Sequence, residues 1–305
     1  MILVVLLYAI LASTFVIAKT ALAYAKPFFL IGFRMIIAGM ILLGYLLLFK
    51  KDKFFVSKKD YWLFLKVSLF HIYFAFIPEF WALQYVSSSK TNLIYSSTPF
   101  IAAILSYFLL SEKLALQKFI GMFIGILGLI PVLLTQTDIR EAGMQFFSVS
   151  APEIILFGAV LSAAYAWFIV KDLMGKGYSL LIINGIAMFI GGVLSLITSL
   201  FFEGVTVSPI FDFGPFLFWT LVLIFVANVV VYNYYAWLLQ KYSITFVMSA
   251  GFLCPIFGAF YGWFFLGEQI TWHYFVSLAF VMLGLHIFYR KEIKKSLPKK
   301  AKSLI

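Results

Sequence analysis

Acid is scarce in this chain, and cysteine is scarcer. Twelve Asp and Glu stand against 23 Lys and Arg, and charged residues make up only 11% of 305. The one cysteine, Cys254, sits in an apolar run. No internal disulfide and no paired-cysteine metal or redox site can therefore form. The histidines, His71, His273 and His286, are scattered, and there is no HExxH, GxSxG or phosphate-cradling glycine loop. Those absences argue against an enzyme and against direct ATP drive. They leave no expected metal and no cofactor.

Apolar residues, by contrast, reach 64%, with a mean hydropathy of +1.05. A soluble domain is about half apolar and about a quarter charged. The surplus has to face something other than water, and a lipid bilayer is the ordinary answer. The net charge of +11 does not indicate nucleic acid as a partner. Seven basic residues follow Tyr289 and five lie between Lys50 and Lys59, as basic loops between apolar spans do.

A helical span needs roughly 20 apolar residues. Breaks at charged or Pro/Gly-rich stretches delimit ten: 1–23, 27–49, 61–83, 91–110, 116–134, 152–171, 179–202, 215–239, 245–266 and 270–289. The runs are continuous, whereas strands of a membrane barrel would alternate. The fold class expected is all-α integral membrane. Ala23 and Ala25 resemble a signal-cleavage pattern, but no basic residues precede the apolar stretch, so we read it as the first helix. Ten spans put both termini on one side. With the basic tail in the cytoplasm, 17 loop Lys and Arg fall inside and four outside. That bias predicts cytoplasmic termini in a bacterial inner membrane.

The same punctuation occurs twice. Pro99 and Glu112 are 13 residues apart, as are Pro255 and Glu268, and the two sets are offset by 156. At that offset Gln84 matches Gln240, Ser87 matches Ser243 and Gly128 matches Gly284. Each half holds five spans. Five is odd, so the second half must enter the membrane inverted, and inverted repeats are a device of secondary transporters. The organisation expected is a five-helix repeat at 1–134, an outer loop at 135–151, a second repeat at 152–289 and a basic tail at 290–305. Pro99 and Pro255 are expected to kink their helices. Glu112 and Glu268 are expected to cap the helix that follows each.

"ALQYVSSSKTNLIYSSTPFIAAILSYFLLSEKL", from Ala82 to Leu114, precedes Gly121, Gly125 and Gly128; "STFVIAK" starts at Ser13, with Pro27 and Arg34 beyond it. On these residues the chain resembles the drug/metabolite transporter superfamily, EamA type. Tyr165, Trp167 and Lys171 occupy comparable places in the second half. The resemblance implies ten helices and a central cavity lined by helices 1, 3, 4, 6, 8 and 9. It also implies movement of amino acids, their derivatives or toxic compounds.

Charge inside a span usually marks function or a buried pair. Arg34 lies about 10 Å into its span and is a candidate for a substrate carboxylate, with snorkelling to the interface as the plain alternative. Glu79 is a candidate for a substrate amine or a coupling proton. His71 is a second coupling candidate, about 80° around an ideal helix from Glu79. Thr14, Tyr95, Tyr165, Asn228 and Tyr232 complete the candidate substrate-binding set. The expected partners are a small solute and the bilayer, with a proton or counter-substrate. An amino-acid derivative such as S-adenosylmethionine fits: a carboxylate for Arg34, an amine for Glu79, an adenine and a sulfonium for aromatic rings. The alternative is an efflux pump for toxic cations.

Overall fold

The computed structural model describes residues 2–51, 54–110, 116–133, 150–204, 208–241 and 250–296. Among them the chain folds into ten helices: α1 (Ile2–Leu22), α2 (Pro27–Phe49), α3 (Lys58–Leu83), α4 (Ser88–Tyr95 and Thr98–Leu110), α5 (Leu116–Leu133), α6 (Ala151–Gly175), α7 (Leu180–Phe202), α8 (Phe213–Val231, continuing through Tyr232–Lys241), α9 (Cys254–Leu266) and α10 (Trp272–Ser296). Seven are long and apolar enough to cross a membrane, and three shorter apolar helices accompany them. Their outer faces carry large bare side chains, among them Leu48, Phe49, Phe201, Phe202, Trp263, Phe264 and Phe265. Apolar exposure on that scale fits a lipid surround and not water.

Some helices equivalent under the 156-residue offset pack on each other. α2 runs along α7, and α5 along α10. α1 leaves its own half to pack on α8 and α9, and α6 does the same against α3 and α4. Each half therefore donates its first helix to the other. With five helices per half, the two copies must cross a bilayer in opposite senses.

Glycine makes the α5–α10 contact close. A Cβ on Gly284 would lie 2.5 Å from the Gly121 carbonyl oxygen and 2.6 Å from the Gly125 nitrogen, both backbone atoms of α5. Small residues let helices approach this far in lipid. Gly284→Ala should therefore push the pair apart and cost about 1–3 kcal/mol. Gly44→Ala is the control, since a Cβ there meets nothing within 4 Å. Thermal unfolding in detergent should show a lowered midpoint for the first variant alone.

Two expectations about proline need correction. Pro99 and Pro255 do not kink helix interiors. Each lies in the first turn of a helix, Thr98–Leu110 and Cys254–Leu266, where its missing N–H is no loss and its fixed φ suits the start. The break in α4 falls before Pro99, at residues 96–97. There nearby hydroxyls add bonds to the carbonyls of that turn: Ser96 Oγ donates to Leu93 O (2.5 Å), Ser97 Oγ to Ile94 O (2.7 Å) and Thr98 Oγ1 to Tyr95 O (2.6 Å). Among the described residues, Pro78 in α3 and Pro131 in α5 lie inside helices.

Glu268 caps a helix, but not the one that follows it. Its carboxylate accepts from the backbone N–H of Ser88 (2.6 Å) and Ser89 (3.0 Å) and from Ser89 Oγ (2.6 Å). These are first-turn donors of α4, in the other half of the chain. Glu203 treats α2 likewise, accepting from Phe28 N (2.7 Å) and Phe29 N (3.0 Å). A carboxylate beside free N–H groups at a positive helix end is favourable wherever it comes from. Glu112 lies outside the described residues.

Candidate solute-binding site

The residues picked out for polarity inside spans largely converge. Arg34, on α2, is 2% exposed and does not reach out to an interface. Its guanidinium lies over the rings of Phe76 (4.9 Å to the centroid) and Phe80 (5.0 Å), both on α3. These residues are four apart and so share a helix face. An aromatic face attracts a cation through its quadrupole. Arg34 makes little other use of its donors. Nη2 is 3.9 Å from Met35 Sδ, and Nε is buried with no partner.

Glu79 follows on the same helix and is 6% exposed. It accepts a short hydrogen bond from the Tyr95 hydroxyl, just before the break in α4. Arg34 and Glu79 are within electrostatic reach of each other and of Tyr232, without a direct ion pair. The site therefore brings a basic and an acidic side chain into one buried region without an ion pair between them. An isolated buried charge is costly, so this separation suits a ligand that brings both opposite charges.

Aromatic rings form the adjoining wall. The His71 ring meets Trp167 edge-on at 5.4 Å and Tyr232 at 5.9 Å, and Trp167 stacks on Tyr235 at 5.4 Å. Phe15 leans on Tyr95 at 5.2 Å. Asn228, 1% exposed, points its amide nitrogen at Met188 Sδ (3.4 Å) and Met35 Sδ (3.7 Å). His71 lies where α3 is π-helical, over Ser68–Tyr73. That stretch changes the angular phase, so an angle reckoned at 3.6 residues per turn does not hold across it.

Thr14 and Tyr165 do not join the cluster by any hydrogen bond or ring contact to Arg34 or Glu79. Thr14 Oγ1 donates back to Leu11 O (2.7 Å), and Tyr165 packs edge-on against Phe70 at 4.8 Å. Phe76, Phe80 and Tyr235 were missed as site residues. Phe76 and Phe80 stand four apart on either side of Glu79, a spacing common in so aromatic a chain. Among the described residues no group of three or more His, Cys, Asp or Glu side chains is placed to hold a metal ion.

At the α1–α2 end, Lys90 and Glu153 form a buried ion pair, and Lys19 Nζ donates to Val86 O (2.6 Å) near Glu268 (3.9 Å). At the other end, Asp60 accepts from Lys176 Nζ (2.7 Å) and from the Tyr178 hydroxyl (2.8 Å). This bond to the Asp60 carboxylate raises the Lys176 ammonium above its ordinary pKa. The pair is open to solvent, so it adds little stability.

Comparisons with known proteins agree with this architecture. A Chlamydia muridarum protein named S-adenosylmethionine/S-adenosylhomocysteine transporter is 33% identical, over 93% of this chain and 89% of its own length. A Bacillus subtilis protein, the uncharacterized transporter YetK, is 25% identical over 95% of this chain and 86% of its own. One crystal structure aligns with a TM-score of 0.64 over 97% of both chains at 15% identity, which shows a shared fold. Residues 1–134 and 151–290 each match the EamA-like transporter family. The chain is thus a multi-pass membrane protein that belongs to the EamA-like transporter family, within the drug/metabolite transporter superfamily.

Proposed function

We propose that this transporter moves S-adenosylmethionine, or a solute of the same build, across the bacterial cytoplasmic membrane. It does so by alternating access, in exchange for the demethylated product. The observation that carries the reading is a buried basic and a buried acidic side chain, not ion-paired, beside an aromatic wall. Arg34, between Phe76 and Phe80, receives the carboxylate. Glu79, with Tyr95, faces the ammonium and sulfonium. The name of the chlamydial relative, at 33% identity across nearly the whole chain, supports the choice of solute.

The two halves, 1–134 and 152–289, rock about a site at their seam, as inverted repeats allow. The loop 135–151 and the end carrying Glu268 face outward. The basic tail 290–305 and the N-terminus stay in the cytoplasm, following the bias of Lys and Arg. Exchange suits this site, because a carrier holding unpaired buried charges changes sides at lower cost when loaded.

The test is uptake of labelled S-adenosylmethionine into vesicles containing the purified protein. Uptake should need S-adenosylmethionine or S-adenosylhomocysteine preloaded inside, and should not change when a pH gradient is imposed. Methionine and apolar cations should compete weakly. Absent uptake, or equal transport of apolar cations, would overturn the reading.

A further inference from the structure

We propose that Asn228 and His71 read the purine base of the solute and set selectivity for adenine, an inference that rests on the solute proposed above. Two helices lose their regular pitch at equivalent points of the repeat. α3 is π-helical over Ser68–Tyr73 and α8 over Ile224–Val231, so the segments begin 156 residues apart. π turns are rare and are found frequently at functional sites. Each of these turns carries a buried polar side chain with unmet bonding capacity. Both ring nitrogens of His71 and Oδ1 of Asn228 lack a hydrogen-bond partner, at 5% and 1% exposure. Buried polar groups are normally paired, and each exception calls for a reason.

The Asn228 carboxamide is close to idle. Its oxygen has no partner, and its nitrogen has only the two methionine sulfurs, which are weak acceptors. A free acceptor beside a lightly held donor is the pattern that pairs with the N6 amino group and N7 of adenine. Hypoxanthine carries an oxygen in place of that amino group and would set it against Oδ1.

Flat walls adjoin this amide. Tyr232 comes one turn after Asn228 on α8 and touches the His71 ring, which also meets Trp167. Bases stack on such rings whatever their identity, so selectivity falls to the polar groups. A neutral imidazole has one donor and one acceptor, and both are open on His71. Tyr232 is also within electrostatic reach of Arg34 and Glu79, which sets the base end next to the amino-acid end.

The experiment uses purified full-length protein and two probes without an amino-acid end, 5′-methylthioadenosine and 5′-methylthioinosine. Trp fluorescence titration should show the adenine compound binding at least roughly tenfold tighter, the factor expected of one good bidentate base contact. Asn228→Leu should bring the ratio near one, and His71→Phe should weaken the adenine compound while keeping the ring. The wild-type ratio needs no variant, so a variant that fails to fold leaves the test intact. Equal binding of the two probes by the wild type, or failure of both to bind, overturns base reading, as does an unchanged ratio in folded Asn228→Leu. Failed uptake of S-adenosylmethionine with a preserved adenine preference overturns the proposed solute and leaves the base-reading pair standing.

Discussion

Arg34→Lys lowers uptake of a carboxylate-bearing solute by roughly 10- to 100-fold, although the positive charge is kept. The guanidinium lies over Phe76 and Phe80 at 4.9 and 5.0 Å, with Nε unpartnered and Nη2 against a thioether sulfur at most. Its planar fork is held by rings that take no hydrogen bonds, and its donors remain for a ligand. An ammonium group cannot stack in the same way and offers no matched pair of N–H groups. Charge-assisted hydrogen bonds are worth about 1.5–3 kcal/mol, and each 1.4 kcal/mol is about tenfold in affinity. Vesicle uptake kinetics check this, with a melting curve to show that the variant folds. Wild-type KM in Arg34→Lys would remove Arg34 from the substrate.

Glu79→Gln separates the two members of the proposed exchange. S-adenosylmethionine carries a sulfonium that S-adenosylhomocysteine lacks. The amide keeps the shape of the side chain and an oxygen for the Tyr95 hydroxyl, its present donor, but removes the negative charge. Affinity for S-adenosylmethionine should fall by at least about tenfold, because it loses attraction at both its ammonium and its sulfonium, and affinity for S-adenosylhomocysteine, which has only the ammonium, should fall less. Tyr95→Phe leaves the charge and removes one neutral donor, so a few-fold loss is expected for both. Competition of the two solutes against labelled S-adenosylmethionine reads the difference. Equal losses for both in Glu79→Gln would show that Glu79 does not sense the sulfonium.

Much of this was legible from residue order. Arg34, Glu79, His71 and Asn228 stood out because each is a polar exception in an apolar run, and the structure buries all four. Phe76 and Phe80 were hidden by abundance, since aromatics are 20% of the chain and nothing local separates a ring under a cation from one facing lipid. The prolines misled for a related reason. A Pro restricts the residue before it and suits the first turn after it, so the same letter marks a kink or a fresh start according to the backbone around it. Glu268 misled through distance, because its donors belong to Ser88 and Ser89, far back in the chain.

The sequence by itself determined the medium, the number of helices and the twofold repeat, because hydropathy and spacing are properties of a continuous stretch of chain. Only the tertiary structure decided which helix of one half enters the other, where α3 and α8 slip into π pitch, and which rings close over Arg34. Those outcomes depend on packing between helices distant from one another in the sequence, where a backbone oxygen, a glycine and a ring edge compete for the same few ångströms.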